Sequence, residues 1–282
     1  MGRGIAGVLA RQGVEVRLYD VDDAVLSACV EGLGEPSVRG VDSLAEVARG
    51  ADLVVEAVAE NLDLKQSVIA DLDAADPDAV LATNTSVLPV SRIAERASRP
   101  ERVVGTHWWN PPDLIPVVEV VKGERTSSAV MDATVAWLTA LGKFAVRVEK
   151  DVPGFVGNRM QHALWREAIA LVHEGICDAE TVDLVVRNTI GLRLARMGPL
   201  QNADFVGLDL TLAIHDAVLP AINRDPGPSP LLRELVAAGH LGAKTGDGFL
   251  HWGSEDREVV AARLAQHVRS QLTEPSNQGE TP

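Results

Sequence analysis

The first residues of the chain form a glycine-rich turn that runs directly into a helical pattern. The segment Met1-Gly2-Arg3-Gly4-Ile5-Ala6 has the spacing of the second half of a dinucleotide-binding turn, and the helix that follows is predicted to end at Gly13. Residues 14–19 form a strand pattern with Asp20 at its carboxyl end. In nucleotide folds the turn places helix amides against a pyrophosphate, and an acid about 20 residues later binds the ribose hydroxyls. The pattern therefore predicts a nucleotide site whose preceding strand and first glycines are absent.

Strand and helix patterns alternate through the first half of the chain. Strands are predicted at residues 51–58, 79–84, 102–107, 116–121 and 145–148, and helices at residues 24–33, 43–48, 61–72, 90–97 and 127–141. Alternation of this kind is typical of βαβ units with parallel strands. An aromatic content of only 4%, beside abundant Ala, Val and Leu, suits buried strands covered by helices on both faces. We predict an α/β fold, a Rossmann-type doubly wound parallel sheet whose first strand is absent.

Only helical patterns follow Phe155, and they predict an all-α C-terminal domain. Helices are predicted at residues 158–174, 179–190, 203–219 and 230–238. We divide the chain into a nucleotide-binding domain, residues 1–149, and a helical substrate domain, residues 150–272. The helical domain is expected to form a homodimer, because its apolar helices exceed what one small bundle can bury. Residues 273–282 are polar, contain Pro and Gly, and are expected to form a flexible tail.

Composition argues against several classes of partner. The formal net charge of −14 is unfavourable for nucleic acid, because phosphate binding requires a basic face. No apolar run reaches the roughly 18 residues that span a bilayer, and no signal segment is apparent, so no membrane partner is expected. Cys29 and Cys177 lack metal-ligand spacing and a secretory context. We expect two unpaired thiols, no metal site and a cytoplasmic location.

Polar side chains accompany three predicted strands of the first domain, at the positions where an open α/β sheet binds its ligands. They are Asn84 and Ser86 after one strand, His107 and Asn110 at the end of the next, and Glu119 on the strand after that. A histidine with a carboxylate on a neighbouring strand can carry out acid–base chemistry near neutral pH. A carboxylate in an apolar strand also requires a partner. Alternatively, His107 is structural, and Asn84 and Ser86 cap the following helix.

Seven ordered segments give the chain a resemblance to the 3-hydroxyacyl-CoA dehydrogenase family over nearly its whole length. They are Met1-Gly2-Arg3-Gly4-Ile5-Ala6, Val55-Glu56-Ala57-Val58-Ala59-Glu60-Asn61, Asn84-Thr85-Ser86, His107-Trp108-Trp109-Asn110-Pro111, Val118-Glu119-Val120-Val121, Asp151-Val152-Pro153-Gly154-Phe155-Val156-Gly157-Asn158-Arg159 and Lys244-Thr245-Gly246-Asp247-Gly248-Phe249. The resemblance implies an NAD-dependent oxidoreductase, of the kind that serves fatty-acid metabolism, that removes a hydride from a carbinol carbon.

The same resemblance implies catalytic roles for five side chains. His107 would take the alcohol proton as the hydride leaves for nicotinamide, and Glu119 would orient His107 and stabilise its imidazolium. Ser86 and Asn158 would hydrogen-bond the reacting oxygen, and Asn110 would hold the geometry of the pair or a nearby water. Alternatively, Asn158 only satisfies backbone groups at the start of its helix.

The resemblance also implies which residues bind the cofactor NAD. Gly2 belongs to the pyrophosphate turn, and Asp20 would bind the adenosine ribose, which favours NAD over NADP by charge repulsion. Glu60, Lys65 and Asn84 match family positions around the nicotinamide half. Judged from its helical position alone, Lys65 would be an ordinary solvated charge.

Two departures from the family concern the substrate. Fatty-acid members carry a long helical arm between their second and third strands, and residues 20–52 leave no room for it. Residues 191–199 carry cations where those members are mostly neutral, a feature similar to the carnitine dehydrogenase, lambda-crystallin (gulonate dehydrogenase) and pyridoxine-degradation branches. We hypothesise that Arg193 binds the carboxylate of a free 3-hydroxy acid. The alternative is an arginine that faces solvent or pairs with Asp204.

The absent first strand is the third departure. That strand would be central in the usual sheet, so its neighbours are expected to lack hydrogen-bonding partners, at a cost on the order of several kcal/mol. We expect the sequence as printed to bind NAD poorly, and a longer product begun at an earlier initiation site to restore binding. Two other interpretations stay open: an enzyme acting strictly on short-chain 3-hydroxyacyl-CoA thioesters, and a crystallin-like protein without turnover.

Overall fold

The protein is divided into two compact units. The computed structural model describes residues 1–254 and 256–273. The first unit is Met1–Arg159 together with the residues from Val268 on, and the second is Met160–His267. The domain boundary after residue 149, drawn from the sequence, falls inside the first unit and stays a prediction.

The first unit alternates strands and helices, as the sequence predicts. Its strands are β1 (Val16–Leu18), β2 (Val38–Gly40), β3 (Leu53–Glu56), β4 (Val80–Thr83), β5 (Val103–Trp108), β6 (Val117–Val121) and β7 (Phe144–Val148). Its helices are α1 (Gly2–Arg11), α2 (Asp23–Leu33), α3 (Leu44–Ala48), α4 (Leu62–Ala75), α5 (Val90–Ile93) and α6 (Ser128–Ala140), with 3-10 turns at Ala94–Arg96 and Pro100–Arg102. Short polar side chains start several of them: Asp22, Ser43, Asn61 and Ser127 each accept a hydrogen bond from a first-turn amide.

The strands form two separate sheets. β1 and β2 pair in parallel, with Val16 opposite Val38, and the other five strands lie in the order β3-β4-β5-β6-β7. The sequence does not predict β2, because three residues are too few to display a strand period. Among the described strands, β1 and β3 are not paired with each other.

The predicted Rossmann-type doubly wound fold is confirmed with a mostly parallel sheet, in which β5 and β6 pair antiparallel. Residues 109–116 join the two strands and include Pro111, Pro112 and Pro116 but no helix. Parallel neighbours need a crossover of about a dozen residues or more, usually a helix, and this connection is too short for one. The other neighbouring pairs of the five-stranded sheet are parallel.

Both faces of the larger sheet are buried under helices. Alternate side chains of β4 point to opposite faces, so that Leu81 packs with Ile69 of α4, whereas Ala82 packs in the cluster of Ile5 from α1 and Met131 from α6. Each of these five side chains is at most 2% exposed. Because helices cover the two faces, a ligand can reach the sheet only at the strand ends.

Among the described residues after β7, the regular elements are helices, beside isolated β-bridges that join Asp247 to Gly242 and His251, and this confirms the predicted helical C-terminal part. They are α7 (Gly157–His173), α8 (Ala179–Asn188), α9 (Ile190–Leu194), α10 (Pro199–Val206), α11 (Leu208–Val218), α12 (Pro230–Ala237) and α13 (Asp256–Thr273). Gly207, with a φ of 107°, separates α10 from α11, so the one helix predicted over residues 203–219 is two. The sequence pattern does not predict α13, and the predicted tail, residues 273–282, lies outside the described residues except for Thr273. No helix in the described stretches is long and apolar enough to cross a membrane.

Candidate active site

His107 and Glu119 form a buried pair at the end of β5. The antiparallel register sets them opposite each other, and His107 Nδ1 lies 2.6 Å from Glu119 Oε2. His107 is 4% exposed and Glu119 is 2% exposed. Because an ionised carboxylate can only accept a hydrogen bond, Nδ1 carries the hydrogen and Nε2 keeps its lone pair. The structure thus brings together the histidine and the carboxylate that the sequence singles out.

The second oxygen of Glu119 is held by the start of α7. Glu119 Oε1 accepts hydrogen bonds from the backbone N–H groups of Val156, at 2.9 Å, and Gly157, at 3.0 Å. Burial raises the pKa of Glu119, but the hydrogen bonds from His107 and from the two amides together lower it by more, so the pKa lies below its usual value. Glu119 is therefore ionised at neutral pH.

Asn110 is not part of the pair. Its side chain is exposed, and within the described residues it makes no hydrogen bond to His107 or Glu119. The amides of Val156 and Gly157 take the place that the sequence analysis gives to Asn110, which an exposed loop position could not fill. The predicted role of Asn110 toward a water stays a prediction.

Two aromatic rings enclose the imidazole of His107. Its ring centroid lies 4.9 Å from that of Trp109 and 5.8 Å from that of Phe155, both in tilted arrangements. A Cβ on Gly157 would lie 2.2 Å from the Trp109 ring, so only a glycine lets the indole lie across the start of α7. Sequence reasoning missed both aromatic contacts, although each ring belongs to a segment that it singled out.

Asn84 ties β4 to the strands on either side of it. Its Oδ1 accepts a hydrogen bond from the Trp108 N–H at 3.0 Å, and its own N–H donates to the Glu56 carbonyl at 2.8 Å. The Asn84 side chain is buried. Because Trp108 follows His107 directly, this contact fixes the end of β5 on which the histidine lies. A contact of Asn84 with the cofactor stays a prediction.

The start of α5 is capped by a residue that sequence reasoning missed. The N–H groups of Val90 and Ser91 donate to the two carboxylate oxygens of Asp151, at 3.0 and 2.7 Å. The alternative that Asn84 or Ser86 caps this helix is therefore wrong. Asp151 stands about 60 residues further along the chain, so no local pattern could have found the contact.

Glu60 holds the loop that follows β4. Its Oε1 accepts hydrogen bonds from the Thr85 hydroxyl at 2.6 Å and from the N–H groups of Ser86, at 3.0 Å, and Val87, at 3.1 Å. Burial raises the pKa of Glu60, but these hydrogen bonds and the nearby ammonium of Lys65 lower it by more, so the pKa lies below its usual value. With its side chain 34% exposed, Glu60 stays within reach of a ligand.

Lys65 is fully enclosed, so the alternative that it is an ordinary solvated charge is wrong. Its Nζ lies 2.9 Å from Glu56 Oε1 and 3.4 Å from Glu60 Oε2, and its exposure is 0%. Glu56 also accepts a hydrogen bond from the Thr83 hydroxyl at 2.6 Å. Sequence reasoning missed Glu56, although a glutamate in an apolar strand is the same signal that marked Glu119. Lys65 contacts the loop of Ser86 only through Glu60, and its role toward the cofactor stays a prediction.

Ser86 and Asn158 are brought together. Asn158 Nδ2 donates to the backbone carbonyl of Ser86 at 2.9 Å, and the Asn158 side chain is buried. Along the described chain the Ser86 hydroxyl has no hydrogen-bond partner, so it is available to a ligand oxygen. Asn158 belongs to the first turn of α7, whose preceding amides hold Glu119. The start of α7 therefore contacts both Glu119, through its amides, and the loop of Ser86, through Asn158.

Gly2 and Asp20 stand at the ends of two elements of the first unit, and their binding of a dinucleotide stays a prediction. Gly2 is the first residue of α1, no side chain caps this helix start, and a Cβ on Gly2 would lie 3.8 Å from Ala57 just beyond β3. Asp20 follows β1, is partly exposed, and uses one oxygen to accept the Asp22 N–H at 3.1 Å. A free helix N-terminus suits a pyrophosphate, and the carboxylate suits the ribose hydroxyls. The residues present fit NAD.

Arg193 belongs to α9 in the second unit. Its side chain is exposed, and it forms no ion pair with Asp204 or with any other acid that the structure describes. The alternative of an Asp204-paired arginine is therefore not found. Binding of a substrate carboxylate by Arg193 stays a prediction.

Comparison with known families covers both parts of the chain. The family described as 3-hydroxyacyl-CoA dehydrogenase, NAD binding domain, matches residues 1–152, and its C-terminal domain matches residues 154–252. The 5-formyl-3-hydroxy-2-methylpyridine 4-carboxylate 5-dehydrogenase of Mesorhizobium japonicum is 34% identical over 95% of this chain and 93% of its own. The L-carnitine dehydrogenase of Nocardiopsis dassonvillei is 43% identical over 60% of this chain and 52% of its own.

Solved structures agree with this assignment. A 5-formyl-3-hydroxy-2-methylpyridine 4-carboxylic acid 5-dehydrogenase, described as an NAD+ dependent dismutase, has a TM-score of 0.91 at 33% identity and covers 97% of this chain and 96% of its own. The (S)-3-hydroxybutyryl-CoA dehydrogenase of Ralstonia eutropha has a TM-score of 0.74 at 32% identity and covers 90% of this chain and 96% of its own. The chain is a member of the 3-hydroxyacyl-CoA dehydrogenase family, an NAD-dependent dehydrogenase with an NAD-binding domain followed by a helical C-terminal domain.

Proposed function

We propose that the chain oxidises the hydroxyl group of a 3-hydroxy acid or a 3-hydroxyacyl-CoA, with His107 as the general base. The observation that carries this proposal is the 2.6 Å contact between His107 Nδ1 and Glu119 Oε2, with the second oxygen of Glu119 held by two backbone amides. A histidine fixed in this way presents Nε2 as the proton acceptor. NAD, when bound, supplies the hydride acceptor.

The pair couples two charge movements. His107 Nε2 takes the hydroxyl proton while the carbon–oxygen double bond forms and the hydride leaves the same carbon. The imidazolium that results faces the ionised Glu119 in a site with little water, where an opposite charge stabilises it more than it would in solvent. Trp109 and Phe155 support this arrangement because their rings exclude water from the flanks of the imidazole.

Ser86 orients the reacting oxygen in this proposal. Its hydroxyl donates a hydrogen bond to that oxygen, while Asn158 fixes the backbone of Ser86 through the 2.9 Å bond to its carbonyl. Glu60 holds the same loop from the opposite side, so its position near the nicotinamide half of NAD also serves the serine. Gly2 and Asp20 bind the pyrophosphate and the adenosine ribose.

Replacement of the base tests the reaction. His107→Gln is expected to lower kcat for a turned-over substrate by ~1,000-fold, since a positioned general base contributes on the order of 100- to 10,000-fold. NAD affinity, measured by quenching of tryptophan fluorescence, should stay within about threefold of the parent value, because glutamine removes no cofactor contact. The exposed His240→Gln variant serves as the control. A His107→Gln enzyme with near-parental kcat would overturn the proposal.

For the substrate we propose a free small 3-hydroxy acid whose carboxylate Arg193 binds. Two observations support this choice. Residues 20–52, where fatty-acid members carry the arm, hold only α2 of 11 residues, the short strand β2 and α3 of five residues, which leaves no additional helical arm for a coenzyme A tail. The relative with a TM-score of 0.91 acts on a pyridine carboxylate by its name, whereas the 3-hydroxybutyryl-CoA dehydrogenase has a TM-score of 0.74. Guanidinium binds a carboxylate through two parallel hydrogen bonds.

A substrate panel tests this choice. Free 3-hydroxy acids and acetoacetyl-CoA are compared by the absorbance of reduced nicotinamide. For the best free acid, Arg193→Ala should raise KM by at least ~10-fold with kcat nearly unchanged, since one hydrogen-bonded charge pair contributes about 1.5–3 kcal/mol. Arg187→Ala, on the exposed side of α8, is the matched control. Turnover of acetoacetyl-CoA alone, with KM insensitive to Arg193, would favour the thioester function instead.

We further propose that the second unit mediates a homodimer. Large apolar side chains stand exposed along its helices, among them Leu192 at 67%, Leu200 at 81%, Phe205 at 79% and Leu212 at 63%. Monomeric proteins rarely expose contiguous apolar patches larger than a few hundred Å², and closed two-fold dimers are the commonest assembly. A cytoplasmic location is proposed with it, supported by the two cysteines, which are free.

A further inference from the structure

Lys143 is a buried ammonium that the proposed chemistry does not use. It stands between α6 and β7 and is 8% exposed. Its Nζ donates hydrogen bonds to the carbonyls of Pro112, at 2.5 Å, and Ile115, at 3.1 Å, and lies 5.4 Å from the ring centroid of Trp108. No carboxylate of the described residues lies within ion-pair distance of it. The contacts of the ammonium are therefore two backbone carbonyls and an aromatic face, without an ion pair.

Burying an ammonium that has no ion-pair partner costs free energy. Burial lowers the pKa of Lys143, the more distant Asp113 opposes this change, and Arg11 adds to it. A methionine of similar length would fill the same volume without the desolvation cost. What the ammonium adds over a methionine is its hydrogen bonds to the connection between β5 and β6.

That connection, residues 109–116, joins the two halves of the site. It leaves β5 directly after Trp108, and its first residue, Trp109, lies against the His107 ring. Further along, Pro112 packs on α1 so closely that a Cβ on Gly4 would lie 2.5 Å from the proline ring. A single loop therefore contacts the histidine through Trp109 and the glycine-rich helix start through Pro112.

We propose that Lys143 is a positioning residue that fixes residues 109–116 between His107 and the NAD-binding helix α1. It touches neither substrate nor cofactor and acts through the loop. The effect on turnover rests on the proposed function of His107, whereas the effect on the loop does not. The chemistry that suits this task is an ammonium with several donors, because one Nζ reaches two carbonyls and one aromatic face.

Hydrogen exchange tests the clamp without any turnover. In the parent the Leu114 and Ile115 amides bond the Pro111 carbonyl at 3.1 and 3.0 Å. In Lys143→Met, these two amide hydrogens should exchange with solvent at least ~10-fold faster. The reason is that the loop loses its hydrogen bonds from a charged donor and opens more often. Lys150→Met, an exposed lysine just after β7, is the control and should leave exchange unchanged. If Lys143→Met does not fold, Lys143→Gln, which keeps one donor group, is measured instead. Unchanged exchange in the folded variant overturns the clamp.

Cofactor titration and kinetics then separate positioning from mere stability. Lys143→Met should weaken NAD binding by ~10-fold and change kcat by a smaller factor, because the loop contacts α1 directly. Lys143→Arg, which keeps the charge and the donors, should restore NAD affinity to within about threefold of the parent. Faster exchange with parental NAD affinity would leave a structural role alone and overturn the positioning role. If the parent binds NAD but turns over no substrate, the proposed function fails while this test still decides the inference.

Discussion

The two units of the molecule differ in which side chains depart from the usual pattern of apolar residues inside and charged residues outside. The first unit buries charged side chains, and the second exposes large apolar ones. In the first unit, charged groups such as Lys65, at 0% exposure, and Glu119, at 2%, are enclosed. In the second, Leu200 at 81% and Phe205 at 79% face outward. Buried charges and exposed large apolar patches are the informative exceptions in a protein. The first unit therefore carries the candidate active site, and the second carries the apolar side chains that we propose mediate a homodimer.

Three acids of the first unit make the same kind of contact with the backbone. Each binds successive backbone amides at the start of a helix or in a loop: Glu119 those of residues 156–157, Glu60 those of residues 86–87, and Asp151 those of residues 90–91. A carboxylate that accepts two amides costs less to bury and stays ionised. These acids connect segments distant in sequence into one rigid site, whereas the second unit offers no comparable set among its described residues.

The largest expected effect tests whether the buried charges hold the first unit together. Lys65→Met leaves Glu56 and Glu60 as adjacent negative charges, and removal of one partner of a buried pair costs about 3–5 kcal/mol. Urea unfolding followed by circular dichroism should report a loss of unfolding free energy in this range. Lys150→Met, on an exposed lysine, should change it by no more than about 0.5 kcal/mol. Equal urea midpoints for Lys65→Met and Lys150→Met would show that the buried charge of Lys65 does not stabilise the first unit.

A second test concerns the acid of the catalytic pair. Glu119→Gln should lower kcat by ~100-fold, about 2.7 kcal/mol, because the imidazolium loses its counter-charge and the tautomer of His107 is no longer fixed. Glu124→Gln, on an exposed glutamate, is the matched control. If kcat falls by less than about threefold, Glu119 has a structural role only and does not assist His107 in catalysis.

Glu119→Gln should also change how the free energy of unfolding depends on pH in the acid range. The pKa of Glu119 is lower in the folded chain than its ordinary value of 4.5. Its ionisation therefore stabilises the fold fully above that value, and the contribution is lost as pH falls through the folded pKa. Between about pH 6 and about pH 3 the parent should lose more unfolding free energy than Glu119→Gln. Parallel pH curves would exclude this contribution of Glu119.

The smallest expected effect concerns the outward apolar surface. Phe205→Asp should raise the dissociation constant of the proposed dimer by at least ~10-fold, measured by sedimentation velocity, because a charge replaces an aromatic side chain of the proposed interface. Val21→Asp alters an equally exposed apolar residue of the first unit and should not affect association. A monomeric parent chain would remove the proposed interface altogether.

Much of the fold could be predicted because its signals are local. The period of apolar residues gave most strands and helices, and Asp22, Ser43, Asn61 and Ser127 occupy the caps of their helices. The separate helices α10 and α11 depend on the backbone of Gly207, which a periodic pattern does not resolve. The site was predicted in part, since His107 and Glu119 stood out as polar residues in apolar strands that needed each other.

The sequence by itself determined the order of elements, the α/β and helical parts, and the identity of the residues that could do acid–base chemistry, because side-chain type and spacing are properties of short segments. Only the tertiary structure decided that β6 runs antiparallel to β5, that Lys65 is enclosed, and that the amides of residues 156–157 rather than Asn110 hold Glu119. Each of these depends on which segments meet in space. These contacts between distant segments are determined by side-chain packing and by the hydrogen bonding of buried polar groups. Both depend on the whole chain, so a local sequence pattern does not encode them.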